Sequence, residues 1–267
     1  MPKLKEIITA IESVAPPSLA EGWDNCGLQF GHPDAVVRRV MVALDPTAEA
    51  VKEASDFGAG LLITHHPFFF GTVRRLNLDF GQGLALSQAV RAGVAVYSAH
   101  TSFDRANPGV SDSLADVLGL VDRRPIEQAP GRMAGFGLGR IGELPEEMTV
   151  GDAAQVMKDD LGCASVRLVG DIDRVVKRVA VCGGSGGSLM DEVIEAGAGL
   201  YITGDVKYHE ALKALEAGIC VLDVGHYHSE RHALPLFARL LIDRLGEVGL
   251  DIDVTVSDLK AEPWTDI

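Results

Sequence analysis

Apolar positions alternate along this chain between two periods. In KLKEIITAIESV (3–14) they fall at helical spacing, and Pro16-Pro17 ends the pattern. VRRVMVALD (37–45) is a Val-rich run that reads as a buried strand. TAEAVKEASDFG (47–58) then reads as a helix, with Thr47 as its N-cap and Gly58 as its stop. GLLITHH (60–66) predicts a strand, GQGLALSQAVRAG (81–93) a helix and VAVYSAH (94–100) another strand. Such alternation points to parallel βαβ units. Residues 122–148 are less regular: Pro125, Pro130, Pro145 and several glycines leave one expected strand at 135–141. Beyond them the pattern predicts a helix at 149–162, strands at 165–170 and 176–184, a helix at 187–196, a strand at 199–204, a helix at 206–217 and a strand at 219–225. A long helix over roughly 229–246 and a closing strand at 251–258 complete the reading.

An internal repeat shapes the rest. GAGLLIT (58–64) and GAGLYIT (197–203) differ at one position. Backwards from these, VMVALDPTAEAVKEASDF aligns without a gap with VAVCGGSGGSLMDEVIEA. Forwards, RAGVAVYSAHTSFD (91–104) pairs with EAGICVLDVGHYHSE (216–230) if one residue is inserted. Coincidence between two similar βα turns explains a short match, but not strand, helix, strand and later strand recurring in one order. The expected fold class is therefore α/β, built as two related α/β halves facing each other. The first spans 1–125 and the second 126–267, with the boundary approximate and the halves intertwined.

Composition removes several function classes. Against 24 Lys and Arg stand 38 Asp and Glu, a formal charge of −14 over 267 residues, which repels phosphate backbones and anionic lipid. Nucleic acid and membrane are therefore not expected partners. The four cysteines, Cys26, Cys163, Cys182 and Cys220, form no CxxC pair and suit a reducing cytosol. The N-terminal segment shows no long apolar run, so the expected location is cytoplasmic.

Ligands of open α/β sheets gather beyond the carboxyl ends of the strands. There the first half offers His65-His66 after one strand and His100-x-x-x-Asp104 after the next. The second half offers Gly204-Asp205 and His226-x-x-x-Glu230 at the corresponding places. A spacing of four brings both side chains to one face of a helix. Imidazole with carboxylate is the donor mix of zinc, iron, manganese or nickel sites. Two successive histidines plus two carboxylates exceed the need of one four-coordinate ion, and two ions would use the surplus. A lone histidine is more often a hydrogen-bonding or surface residue. Here His65, His66, His100, His226 and His228 all fall at the ends of neighbouring inferred strands.

The segments WDNCGLQFG (23–31), ITHHPFFF (63–70), AHTSFDRANPGVSDSLADVLGL (99–120), GGSGGSL (183–189), GDVKYHEAL (204–212) and GHYHSERHALP (225–235) together resemble the NIF3-like family, whose bacterial members carry the name GTP cyclohydrolase 1 type 2 homolog. The chain looks like the short form, without the inserted domain of longer members. The resemblance implies a NIF3-like fold and a dinuclear centre of two divalent ions, Zn, Fe, Mn or Ni, held by His65, His66, Asp104, His226 and Glu230. Asp104 and Glu230 would be the bridging carboxylates. His100 then becomes a neighbour of the site that positions water or substrate and shuttles a proton, with a core histidine bonded to backbone as the equal alternative. His228 is expected at the surface. His209 resembles a family position lining the cleft, with an ordinary helix surface as the other reading.

Other motifs weigh less. GGSGGS (183–188) would let backbone N–H groups cradle an anion, but it lacks the Lys-Ser/Thr ending of a P-loop, and a plain tight turn is as good a reading. Asp24 and Asn25 lie near the cleft or simply make a turn. PFFFG (67–71) reads as core or subunit contact. Two functions follow from the resemblance. One is a metal-dependent hydrolase of the GTP cyclohydrolase type 2 kind, in which activated water opens a guanine nucleotide at C8 and formate leaves. The other is a metal-binding hexameric assembly or regulatory protein without catalysis of its own. Both imply a homo-oligomer, a ring-shaped hexamer.

Overall fold

The computed structural model describes residues 1–129, 131 and 134–265; Pro130 lies outside them. From the N-terminus run α1 (Leu4–Val14), β1 (Gly27–Phe30), β2 (Arg39–Ala43), α2 (Ala48–Phe57), β3 (Leu61–Thr64), α3 (Gly81–Ala92), β4 (Ala95–Ser98) and the single turn α4 (Thr101–Asp104). Next come α5 (Val110–Val117), β5 (Val121–Arg124), β6 (Glu127–Gln128), β7 (Gly137–Leu138), β8 (Arg140–Thr149), α6 (Val150–Leu161), β9 (Arg167–Val169) and β10 (Val175–Ser185). They are followed by α7 (Met190–Glu195), β11 (Leu200–Gly204), α8 (Tyr208–Glu216), β12 (Cys220–Asp223) and α9 (His226–Arg231). The last two elements are α10 (Leu234–Glu247) and β13 (Asp253–Val256).

The chain forms two compact units, Met1–Ala106 with Leu234–Lys260, and Asn107–Ala233 with Ala261–Ile267. A single cut at 125/126, the division expected from sequence, does not reproduce these bounds. Residues 107–125 join the second unit because Leu114, Ala115, Leu118 and Leu120 pack into its core with Val179 and Ile202. Residues 234–260 return to the first because β13 pairs in parallel with β2.

In the first unit the sheet order is β1-β4-β3-β2-β13, with β1 antiparallel at one edge and the other four strands parallel. All four residues of β3 and of β4 are buried, as near-continuous apolar runs of parallel strands require. Met41, Val51, Leu62, Phe68 and Val96 form the core with α2 and α3, while α1 packs against α10. Thr47 caps α2 by accepting from the Ala50 amide at 3.1 Å. Gly58 and Gly93 end α2 and α3 at φ 77° and 70°, where a side chain would be strained.

In the second unit the order is β5-β8-β10-β11-β12-β9, with β10, β11 and β12 parallel and their outer neighbours antiparallel. The neighbour order β2-β3-β4 thus recurs as β10-β11-β12, which is the repeat seen in the sequence. Three sequence expectations shift. The strand expected at 135–141 is split: β7 ends at Leu138, and β8 runs on to Thr149 through Pro145. That proline sits where the β8–β10 register slips between Val176 and Arg178, so its missing N–H interrupts no regular ladder. The helix expected from 229 to 246 is two, α9 and α10, because Pro235 cannot continue a helix past the carbonyl of Arg231 but fits the first turn of a new one. The closing strand belongs to the first sheet. Among the described residues no helix is long and apolar enough to cross a membrane.

Candidate metal centre

In the first unit the chain keeps parallel pairing just past β3. The amides of His65 and His66 donate to the carbonyls of Ala43 and Leu44, at 3.1 and 3.0 Å. Thr64 Oγ1 donates to His66 O at 2.7 Å and Ser98 Oγ to His65 O at 2.9 Å, so both histidine backbones are fixed. His65 is buried and His66 half-buried. His100 precedes α4, and the Asp104 amide donates back to the His100 carbonyl at 3.1 Å, so the H-x-x-x-D segment is the single helical turn its spacing predicts. Asp104 Oδ1 comes within 3.5 Å of His65 Nε2. Ligand-capable atoms of His65, His66 and His100 lie within 4.8 Å of one another, so His100 adjoins the two successive histidines.

In the second unit Gly225 (φ 81°) turns the chain from β12 into α9. One turn later His226 Nε2 lies 3.0 Å from Glu230 Oε2, the i,i+4 face the motif predicts. Glu230 is buried. Two glycines make room for this turn. A Cβ on Gly184 would lie 2.1 Å from Glu230 Oε1, and one on Gly204 would lie 2.8 Å from the His226 amide nitrogen. Ser229 Oγ accepts from the Gly184 amide at 2.9 Å and donates to His226 O at 2.8 Å, closing the β10 end onto α9.

Each of the four histidines spends Nδ1 on a group that accepts. His65 uses the Ala99 carbonyl at 3.2 Å, His66 Asp45 at 2.8 Å, His100 Asp24 at 3.0 Å and His226 Asp205 at 2.8 Å. With the proton on Nδ1, the neutral ring presents the Nε2 lone pair. For His226 that lone pair faces a carboxylate oxygen at 3.0 Å, and for His65 one at 3.5 Å. Two acceptors hold such positions only with a proton or a cation between them, so the donor set fits a divalent metal. Burial opposes charge on Asp24, but hydrogen bonds from His100, Cys26 and Thr101 outweigh it and hold the carboxyl well below the usual range. Burial pushes the Cys26 thiol up, and the Asp24 carboxylate beside it pushes the same way, so Cys26 is no ready nucleophile. No disulfide joins the four cysteines.

Other sequence candidates resolve individually. Asp24 both closes a turn, its amide donating to the Glu21 carbonyl at 3.0 Å, and orients His100. His209 stands exposed on α8 against the Tyr208 ring. His228, expected at the surface, is half-buried instead: its Nδ1 meets the Leu161 carbonyl at 3.2 Å and its Nε2 lies 3.7 Å from Glu262. The GGSGGS segment is the end of β10, to Ser185, followed by a 3-10 turn at Gly187–Leu189, and its surroundings do not leave its amides open to an anion. Ser229 takes the Gly184 amide, Thr203 Oγ1 takes that of Gly186 at 3.0 Å, and the Glu210 carboxylate lies where a Cβ on Gly187 would sit. PFFFG divides: Phe68 is core, and Phe70 is 54% exposed. Sequence reasoning missed Asp45 and gave Asp205 no role. Their signal was position alone, the second residue past β2 and the first past β11.

Comparison with known proteins agrees with this architecture. The family model Duf34/NIF3 (NGG1p interacting factor 3) matches residues 2–263, and the chain belongs to that family. It is 37% identical over 269 residues to a GTP cyclohydrolase 1 type 2 homolog of Streptomyces coelicolor, covering 99% of this chain and 94% of the relative. A homolog of the same name from Clostridium perfringens is 34% identical over 267 residues, with 98% of each chain covered. Among solved structures, a Bacillus cereus protein related to NIF3 superposes with a TM-score of 0.94 at 26% identity, covering 100% of this chain and 99% of the other. The hypothetical protein SA1388 of Staphylococcus aureus superposes with a TM-score of 0.93 at 31% identity over 99% of both chains.

Proposed function

We propose that this protein is a dinuclear metal-dependent hydrolase whose ions are held by His65, His66, Asp104, His226 and Glu230. The observation that carries the proposal is the uniform Nδ1 bonding of four imidazoles, which leaves Nε2 of each ring available as a ligand atom and, in His65 and His226, sets it beside a carboxylate. Bound divalent ions would lower the pKa of a coordinated water and polarise the substrate. The chain's own residues supply the rest. Asp45 and Asp205 fix the rings of His66 and His226, and Asp24 fixes His100, whose Nε2 would give or take a proton at the substrate. The names of the relatives direct the choice of substrate to guanine nucleotides and the reaction to hydrolytic opening of the base. A ring-shaped homohexamer belongs to the same reading, and light scattering of the native protein checks it.

The test is elemental analysis followed by turnover. Metal-replete protein should hold about two ions per chain. His65→Ala and Glu230→Ala should each lose metal while keeping the wild-type circular dichroism spectrum. A nucleotide panel including GTP, run with Mn, Fe, Zn and Ni, should show turnover that a chelator abolishes. Folded wild type that binds no metal under any of these conditions would sink the reading. Metal without turnover would leave the binding or regulatory alternative in its place.

A further inference from the structure

Two aromatic side chains that the metal centre does not use stand in solvent beside its histidines. Trp23 is 63% exposed and Phe70 54%. Their exposure is selective: along PFFF, Phe68 is fully buried, Phe69 half-buried, and only Phe70 turns outward. An aromatic ring left in water forgoes the burial that usually justifies it, so these two positions contribute little to the core. They sit on separate loops, yet both rest against one imidazole. The Trp23 ring lies 6.0 Å from His100 at 71°, and the Phe70 ring 5.6 Å from His100 at 90° and 6.0 Å from His66. Neither contact is a parallel stack.

The spacing of the two loops is fixed by Asn25, whose Nδ2 donates to the Phe69 carbonyl at 2.9 Å and to Gln29 Oε1 at 3.0 Å. Below them, Gln82 Nε2 donates to the Phe68 carbonyl at 2.9 Å and ties the second loop to α3. Open π surface at fixed spacing with imidazoles at its base matches a flat, nitrogen-bearing ring.

We propose that Trp23 and Phe70 bind a planar nitrogen heterocycle of nucleobase size and position it against His100. The proposal rests on the hydrolase reading for what becomes of the ring, whereas the stacking itself needs no metal. Stacking of this kind tolerates the base identity, because every base has a π face.

The chain has two tryptophans, and the other, Trp264, is exposed, so Trp264→Phe leaves Trp23 as the single indole reporter. Guanosine, ribose 5-phosphate and inorganic phosphate are titrated into metal-stripped and metal-loaded protein. Guanosine should quench Trp23 saturably in both forms, ribose 5-phosphate should not, and Phe70→Leu should raise the apparent Kd about tenfold. Calorimetry on Trp23→Leu should show a loss of similar size. Linear quenching, or saturable quenching indifferent to Phe70→Leu, overturns the proposal. So does Trp23 emission that shifts with protein concentration alone, since a second copy of the chain then covers the rim. Metal content is read on the same samples. Turnover with a silent Trp23 removes this inference and keeps the hydrolase, while base binding by a chain that takes up no metal does the reverse.

Discussion

Gly184 occupies space that any side chain would take from Glu230. Its φ of +64° already disfavours other residues, and a Cβ there would stand 2.1 Å from the carboxylate oxygen. Gly184→Ala is therefore expected to cost about 1–3 kcal/mol in a denaturant melt and to lower metal content in elemental analysis, because the substituted backbone and Glu230 cannot both keep their places. Asp205 acts one bond further out. Asp205→Ala removes the acceptor on His226 Nδ1 and should weaken metal affinity roughly 10- to 100-fold in a competition titration. Asp205→Asn, which tolerates the positive φ of 55° here, should keep the fold and lose less. The spacings of four were legible in the sequence because one helical turn fixes what they bring together, as His226 and Glu230 do. The orienting carboxylates were not. An aspartate past a strand end reads equally as turn chemistry, and Asp45, Asp205 and Asp24 acquire their histidines only through contacts between segments distant in sequence.

Where an element carried its own start and stop signals, the sequence defined it. Helices α2 and α6 begin at Thr47 and Thr149 and end at Gly58 and Gly162, both glycines left-handed, and both helices were legible to within a residue or two. Thr149 accepts from the Asp152 amide at 3.0 Å and donates to its carboxylate at 2.7 Å. Thr149→Ala should cost about 1 kcal/mol in chemical denaturation, the usual loss for such a cap. Strand β8 and the break before α10 depart from the sequence reading for opposite reasons: Pro145 counts there as a terminator and Pro235 does not, while a proline's effect depends on the partner strand in one case and on helix position in the other. At the start of α1, Lys5 and then Lys3 hold the exposed Asp34 carboxyl down to about 2. Its folded value lies below the ordinary carboxylate value, so the small stabilisation is complete above that ordinary value and is lost as pH falls through about 2. A carboxyl NMR titration should find that midpoint, and Lys5→Met should move it upward.

Over the whole molecule, the repeat was legible because three parallel strands keep the same neighbour order in each unit, while the edges of the two sheets differ. The first sheet is finished by β13, whose Asp253–Val256 pair with Arg39–Val42. Ser257 and the Asp258 amide then bond the Glu53 carboxylate on α2. Truncation after Gly249 should therefore strip hydrogen-exchange protection from the amides of β2 while those of β10 and β11 keep theirs. The same topology carries a consequence for biosynthesis. β2 ends at Ala43 and its edge partner begins at Asp253, so at typical elongation rates the nascent β2 edge waits on the order of 10–40 s for its strand. The second unit, apart from its last few residues, leaves the ribosome whole within that interval. During it the buried row Val40–Ala43 is an open template for another chain, and the cell's exposure to aggregation of this protein is set by translation speed between the two strands.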